Sequence, residues 1–139
     1  GKVYFGLDNG GTIRDAYVSG HTALEGRILF TASDPGTPEA AFLKLNTPTE
    51  SIADFVSQGY IVRTRADADT EEARSGDTGP RDLAISSGAQ FVSTDYYVAD
   101  ARADTSEGWT DYSVSLPGNF IARENPVSGS GSFFDMEIE

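Results

Sequence analysis

Cysteine is absent from this chain of 139 residues, which excludes disulfide bonds and thiolate metal sites. Basic residues are scarce: 10 lysines and arginines stand against 22 aspartates and glutamates, and the formal net charge is −12. This balance disfavours binding to nucleic-acid backbones or to anionic membranes, because both reward a basic surface. An anionic small ligand remains compatible with the charge if the few arginines are concentrated in one place.

Long apolar runs are absent as well. No stretch is long enough to span a bilayer, and no signal peptide is visible. The chain lacks an initiator methionine and opens directly into a predicted strand, so we expect it to be part of a longer protein. What is present, 38% hydrophobic and 11% aromatic residues, is sufficient for a globular core, and the length indicates one domain.

Strand patterns alternate with helix and turn signals along residues 1–98. Strands are predicted near residues 2–7, 27–32, 60–65 and 90–94, and helical segments near residues 13–19, 38–45, 47–58 and 82–87. This alternation is typical of an α/β protein with a parallel sheet whose carboxyl ends lie on one face. Four such units amount to half of a TIM-type (β/α)8 barrel. Residues 99–139 do not continue this alternation of strand and helix patterns. We interpret them as a tail in which residues 112–116 alternate like an edge strand.

Two helix boundaries carry specific signals. Thr47, Pro48 and Glu50 have the order of an N-cap, a first helical position and a capping box. Gly59 then predicts the end of that helix, and Gly88 the end of the next predicted helix, since glycine is favoured just after a helix.

The third predicted strand ends in a dense set of charges. Alternation places Arg63, Arg65 and Asp67 on one side of it and Val62, Thr64 and Ala66 on the other. Arginines near a core must be paired or face an anionic ligand. Two interpretations stay open: a floor that binds phosphate or hydroxyl groups, and an ion-pair network with nearby carboxylates.

Other strand ends carry further candidate residues. Asp95 and Tyr97 follow the fourth strand and could form a ligand platform, although aromatic packing is the alternative for the tyrosine. Asp8 follows the first strand and could line the same pocket or only form a turn before Gly10. The single histidine, His21, lies in a loop, and no nucleophile-elbow pattern surrounds Ser93, so the sequence offers no catalytic residue and no convincing metal-ligand spacing.

The segment YIVRTRADADTEEARSGDTGPRDLAISSGAQFVSTDYY, residues 60–97, resembles the C-terminal part of the calcium-dependent phosphoinositide phospholipase C family of secreted bacterial and fungal proteins. Residues 1–9 and 24–30 resemble earlier parts of the same family in the correct order, and the resemblance spans roughly residues 1–126. It implies a barrel related to the glycerophosphodiester phosphodiesterases. Residues 1–98 would be its last four β/α units, and residues 99–139 would pack on it.

The resemblance also implies a reaction, namely cleavage of the phosphodiester of an inositol phospholipid with a histidine pair and Ca²⁺. Those histidines and the calcium ligands belong to the first half of the family's barrel, so this segment alone would be inactive and would need that N-terminal half as its partner. Its contribution would be a substrate-binding wall, formed by Arg63, Arg65, Asp95, Tyr97 and Asp8. A secreted or extracellular location follows from the same resemblance. The alternative is a non-catalytic binding or assembly module built on the same barrel.

Overall fold

The structure, a computed structural model, describes residues 3–116, 118 and 120–132. Along the chain its elements are β1 (Gly6–Leu7), α1 (Gly11–Val18), β2 (Phe30–Thr31), β3 (Phe42–Lys44), α2 (Ile52–Ser57), β4 (Ile61–Arg65), α3 (Glu71–Ser75), α4 (Gly79–Ser86) and β5 (Phe91–Ser93). Strands alternate with helices or loops, and the α/β class predicted from the sequence is confirmed.

All paired strands are parallel. β1 pairs with β2, and β3, β4 and β5 form a second sheet with β4 in the middle. The parallel pairing of β4 with β5, which the sequence predicts for the third and fourth strands, is confirmed. Five described strands in two separate sheets do not establish a half barrel of four units, because β3 lies along the chain between the predicted second and third strands.

β3 is the main correction to the sequence prediction. Residues 38–45 were expected to form a short helix, but Phe42–Lys44 pairs with Ile61–Arg63 as a strand. A short apolar run is ambiguous between strand and helix, and here the neighbouring strand decides, because β4 offers free backbone groups along its edge. Leu43 is then completely buried against β4 and α2.

The predicted capping box before α2 is also wrong. The helix begins at Ile52 after Ser51, so the predicted N-cap Thr47 and the predicted first helical residue Pro48 both lie before it, and no described side chain caps it. The predicted end is correct, since Gly59 follows the helix with a φ of 94°. The predicted edge strand at residues 112–116 does not form, and this stretch has irregular backbone.

Two apolar clusters hold the described residues together. The first lies between the sheet and α2, with Leu43, Ile52, Val56 and Val62 almost completely buried. The second consists of Ala73, Tyr96, Trp109 and Tyr112, so it joins α3 to the segments that follow β5. Val62, Thr64 and Ala66 are fully buried and the intervening Arg63 and Arg65 are half-buried, which confirms the predicted alternation along β4. None of the described helices is long and apolar enough to cross a membrane.

Candidate functional site

A cavity of about 500 Å³ opens at the carboxyl ends of β1, β3 and β4. In α/β proteins with parallel strands this edge is the usual place for a ligand, because the loops that follow the strands converge there. Its walls are formed by Gly6, Leu7, Asp8, Ala32, Phe42, Lys44, Asn46, Arg63 and Arg65. Three cations and one carboxylate therefore face a single cavity in a strongly acidic chain.

Arg63 is fixed across three strands. Its Nη1 donates to Oδ1 of Asn46 at 2.5 Å, just beyond β3, and its Nη2 donates to Oγ of Ser93 at 2.6 Å, at the end of β5. Both partners are neutral, so these hydrogen bonds orient the guanidinium without neutralising its charge.

Arg65 has a single described partner. Its Nε donates to the backbone carbonyl of Asp67 at 2.9 Å, and no described residue accepts a hydrogen bond from its two terminal nitrogens. The carboxylate of Asp67 is occupied elsewhere: it is only 3% exposed, and it accepts hydrogen bonds from the backbone N–H of Asp95 at 3.0 Å and from the hydroxyl of Thr94. The terminal nitrogens of Arg65 therefore remain available to a ligand.

Within the described part of the chain, neither arginine forms an ion pair with a carboxylate. The ion-pair network that the sequence left open as an alternative is thus not formed there. Partly buried guanidinium groups that lack a carboxylate favour an anionic ligand, because such a ligand supplies the missing charge-assisted hydrogen bonds.

The third cation, Lys44, is paired. Its Nζ contacts Oδ1 of Asp8, which follows β1. The hydrogen bond and the positive charge of Lys44 lower the pKa of the Asp8 carboxyl, and the charge of Arg63 adds a smaller effect in the same direction. Asp8 is therefore an anion at neutral pH, at the mouth of the cavity.

Aromatic rings lie at the amino ends of the strands. Tyr4 is near Phe30 and Phe91, with ring centroids 5.9 and 6.2 Å apart, and Phe30 is 6.5 Å from Phe42. Phe42 and Phe91 precede Lys44 and Ser93 by two residues, so in each strand both side chains share a face. This face of the strands changes from aromatic at the amino end to polar and cationic at the carboxyl end.

Tyr97 and Asp95 lie away from this cavity. Tyr97 is exposed and lines a second cavity of about 620 Å³ with apolar residues such as Val92, Leu116 and Phe120. Asp95 lines neither cavity. The prediction that Arg65 and Tyr97 face one cavity is wrong, because β5 ends at Ser93 and the hydrogen bonds of Asp67 fix the chain beyond it. A role in substrate binding for Asp95 and Tyr97 stays a prediction.

Sequence reasoning missed Lys44, Asn46 and Ser93 as site residues. The first two were missed because the segment was taken for a helix, yet a period of two places Phe42, Lys44 and Asn46 on one face. Ser93 was considered only as a nucleophile. Its Oγ accepts from Arg63 and donates to the carbonyl of Thr64 at 3.3 Å. His21 is elsewhere, with its Nδ1 2.7 Å from the carbonyl of Glu25.

The described residues do not fit a metal site. In residues 3–116, 118 and 120–132, no three histidine, cysteine, aspartate or glutamate side chains lie close enough together to hold a metal ion. No chemical step is therefore assigned to a metal bound by these residues.

Fold and cavity together define an α/β protein with a cationic cavity at the carboxyl ends of parallel strands. Comparison with known families agrees with the resemblance in the sequence: the family model described as "Phosphoinositide phospholipase C, Ca2+-dependent" matches residues 1–126. The chain belongs to this phosphoinositide phospholipase C family, whose own description includes dependence on calcium. No curated protein and no solved structure matches the chain.

Proposed function

We propose that the protein takes part in cleavage of the phosphodiester of an inositol phospholipid, and that the cavity of Arg63, Arg65 and Lys44 binds the headgroup. The observation that carries the proposal is the pair of arginines that face the cavity without a carboxylate partner among the described residues. The family match supplies the class of substrate.

The cavity residues suit the chemistry of such a headgroup. A guanidinium is planar and carries several donors, so Arg65 can bind two oxygens of one phosphate through the nitrogens that no described residue occupies. Asn46 and Asp8 can exchange hydrogen bonds with ring hydroxyls. These residues bind and orient, and proton transfer in phosphodiester cleavage requires further groups such as histidine, which does not line this cavity.

The proposal therefore includes a partner for this segment. We propose that residues 1–98 form the carboxyl-terminal part of a (β/α)8 barrel, that residues 99–139 pack on it, and that the amino-terminal half supplies the catalytic groups. Two observations support this: Tyr4 and Phe91 are half-exposed on the face that also carries the cavity, and within the described residues β1 and β5 each have only one neighbouring strand. Such edges and faces call for further strands. Export from the cell is part of the same proposal, by analogy with the family.

A second candidate is a binding module on the same fold that performs no chemistry. It is favoured by the lining of the cavity, which binds through arginines and neutral groups and contains no histidine. The two candidates share the headgroup site and differ in turnover.

The binding test uses the full-length protein that contains these residues. Calorimetric titration with inositol 1-phosphate should show that Arg65→Ala weakens binding by about 1.5–3 kcal/mol, because a charge-assisted hydrogen bond is lost. Arg14→Ala is the matched control, since Arg14 pairs with Asp15 on α1 away from the cavity and its removal should leave the affinity unchanged. Equal affinity of the Arg65 variant, with thermal unfolding unchanged, would remove Arg65 from the site.

Turnover separates the two candidates. Release of water-soluble inositol phosphate from phosphatidylinositol vesicles by the full-length protein, abolished by a calcium chelator, is expected for the phosphodiesterase. Binding of inositol 1-phosphate without any release would support the module instead.

A further inference from the structure

The ion pair of Lys44 with Asp8 gives the cavity an uneven distribution of charge. Lys44 is at the end of β3 and Asp8 follows β1, so the pair joins residues from the two sheets at the cavity. Among the described residues that line the cavity, Asp8 is the one carboxylate. The side chain of Lys44 is 30% exposed, whereas that of Asp8 is 78% exposed.

The two sides of the cavity consequently offer different chemistry. On the side of β4, Arg63 and Arg65 carry positive charge that no carboxylate in the described part of the chain compensates. Towards β1, Asp8 compensates the charge of Lys44, and Oδ2 of Asp8 accepts no hydrogen bond from any described residue. A carboxylate oxygen in this position accepts hydrogen bonds from hydroxyl groups and repels phosphate.

We infer that Asp8 determines specificity in the proposed headgroup site: it admits ring hydroxyls and disfavours a second phosphate beside Lys44. The inference rests on the proposed function and extends it to the charge state of the ligand. The site then selects a monoanionic phosphodiester of a hydroxylated ring over a polyphosphorylated inositol.

The size of the effect follows from the interaction of like charges. Two like unit charges about 5 Å apart repel each other. With an effective dielectric constant between that of a protein surface and that of bulk water, this repulsion weakens ligand binding by about five- to tenfold. Exposed ion pairs are weak, so a ligand phosphate could displace Asp8 from Lys44, but it would then meet the carboxylate as an unpaired neighbour.

The experiment compares two probes by calorimetry on the full-length protein: glycerophosphoinositol, a monoanionic diester, and inositol 1,4,5-trisphosphate. Asp8→Asn removes the charge and keeps a carbonyl acceptor for hydroxyls. We expect the ratio of trisphosphate affinity to diester affinity to be about five- to tenfold higher in this variant than in the wild type, because the removed charge repels the additional phosphates.

Two further variants sharpen the test. Asp15→Asn changes the net charge equally at an exposed carboxylate paired with Arg14, and it should leave both affinities unchanged. Lys44→Gln removes the partner of Asp8 and should weaken trisphosphate binding more than diester binding, because the carboxylate is then uncompensated.

Each outcome has a distinct meaning. An equal ratio of the two affinities in the wild type and in Asp8→Asn, with diester binding retained, overturns the role of Asp8 and leaves the proposed function standing. Failure of the folded wild type to bind either probe overturns the proposed headgroup site, and the inference with it.

Discussion

Asp67 shows how a residue that looks functional in the sequence can have a structural task. Its buried carboxylate accepts hydrogen bonds from Thr94 and from the backbone of Asp95, and its carbonyl accepts one from Arg65. It therefore joins the end of β4 to the end of β5 and holds an arginine of the cavity in place. A charged group this deeply buried is tolerated because its oxygens are hydrogen-bonded.

Truncation of the Asp67 side chain should destabilise the folded protein. We expect Asp67→Ala to lower the free energy of unfolding by about 2–3 kcal/mol, because hydrogen bonds to a charged group are lost and their donors remain. Denaturant unfolding of the full-length protein measures the change. Asp95→Ala is the matched control: its side chain is exposed, and we expect a change within about 0.5 kcal/mol. Similar stability of the two variants would contradict the structural role of Asp67.

At the scale of elements, the sequence predicted the features that depend on local residue patterns and missed the features that depend on contacts with neighbouring strands. The alternation along β4, the glycines that follow α2 and α4, and the parallel direction of the strands were accessible, because periodicity and backbone freedom are local properties. β3 was not accessible, because its short apolar run becomes a strand only against β4. Lys44 depends on that strand, so this partner of Asp8 was missed with it, whereas Asp8 itself was predicted and lines the cavity with Arg63 and Arg65.

The same distinction applies to the course of the chain after β5. Arg65 ends one predicted strand and Tyr97 follows the next one, so the sequence suggests that both side chains face a common cavity. Their separation arises from hydrogen bonds between residues far apart in sequence, such as Asp67 with Asp95 and Tyr96 with Asp69. No local pattern encodes these contacts.

The two glycines that end helices give a prediction at this scale. Both have positive φ, 94° at Gly59 and 81° at Gly88, but only at Gly88 would an added Cβ overlap a neighbour, the side chain of Val127. Gly59→Ala should cost about 1–2 kcal/mol from backbone strain alone. Gly88→Ala should cost more, since strain and overlap add. Thermal unfolding of the two variants checks this order, and equal losses would contradict the packing of residue 127 against α4.

At the scale of the whole molecule, the described chain leaves aromatic rings and strand edges exposed that further strands would cover. The rings of Tyr4 and Phe91 are half-exposed, Phe5 and Ile28 are exposed, and the two sheets have open edges within the described residues. Open edges of this kind template association with other chains.

We therefore expect residues 1–139 in isolation to aggregate or to lack a cooperative thermal transition. The same residues within the full-length protein are the control and should unfold cooperatively. Light scattering and calorimetry on the two samples provide the measurement. A sharp reversible transition of the isolated chain as a monomer would show that the segment is an independent domain.

Two guanidinium groups lie over the ring of Trp109, that of Arg74 on α3 at 4.3 Å from the ring centroid and that of Arg102 at 3.8 Å. Arg102 is held in turn by two hydrogen bonds to Asp100, which lower the pKa of that carboxyl to about 2. Trp109 is the one tryptophan of the chain and is 7% exposed. Its fluorescence therefore reports, without any added label, whether the segment after β5 is seated on α3: emission should move to longer wavelength when that segment detaches and water reaches the ring.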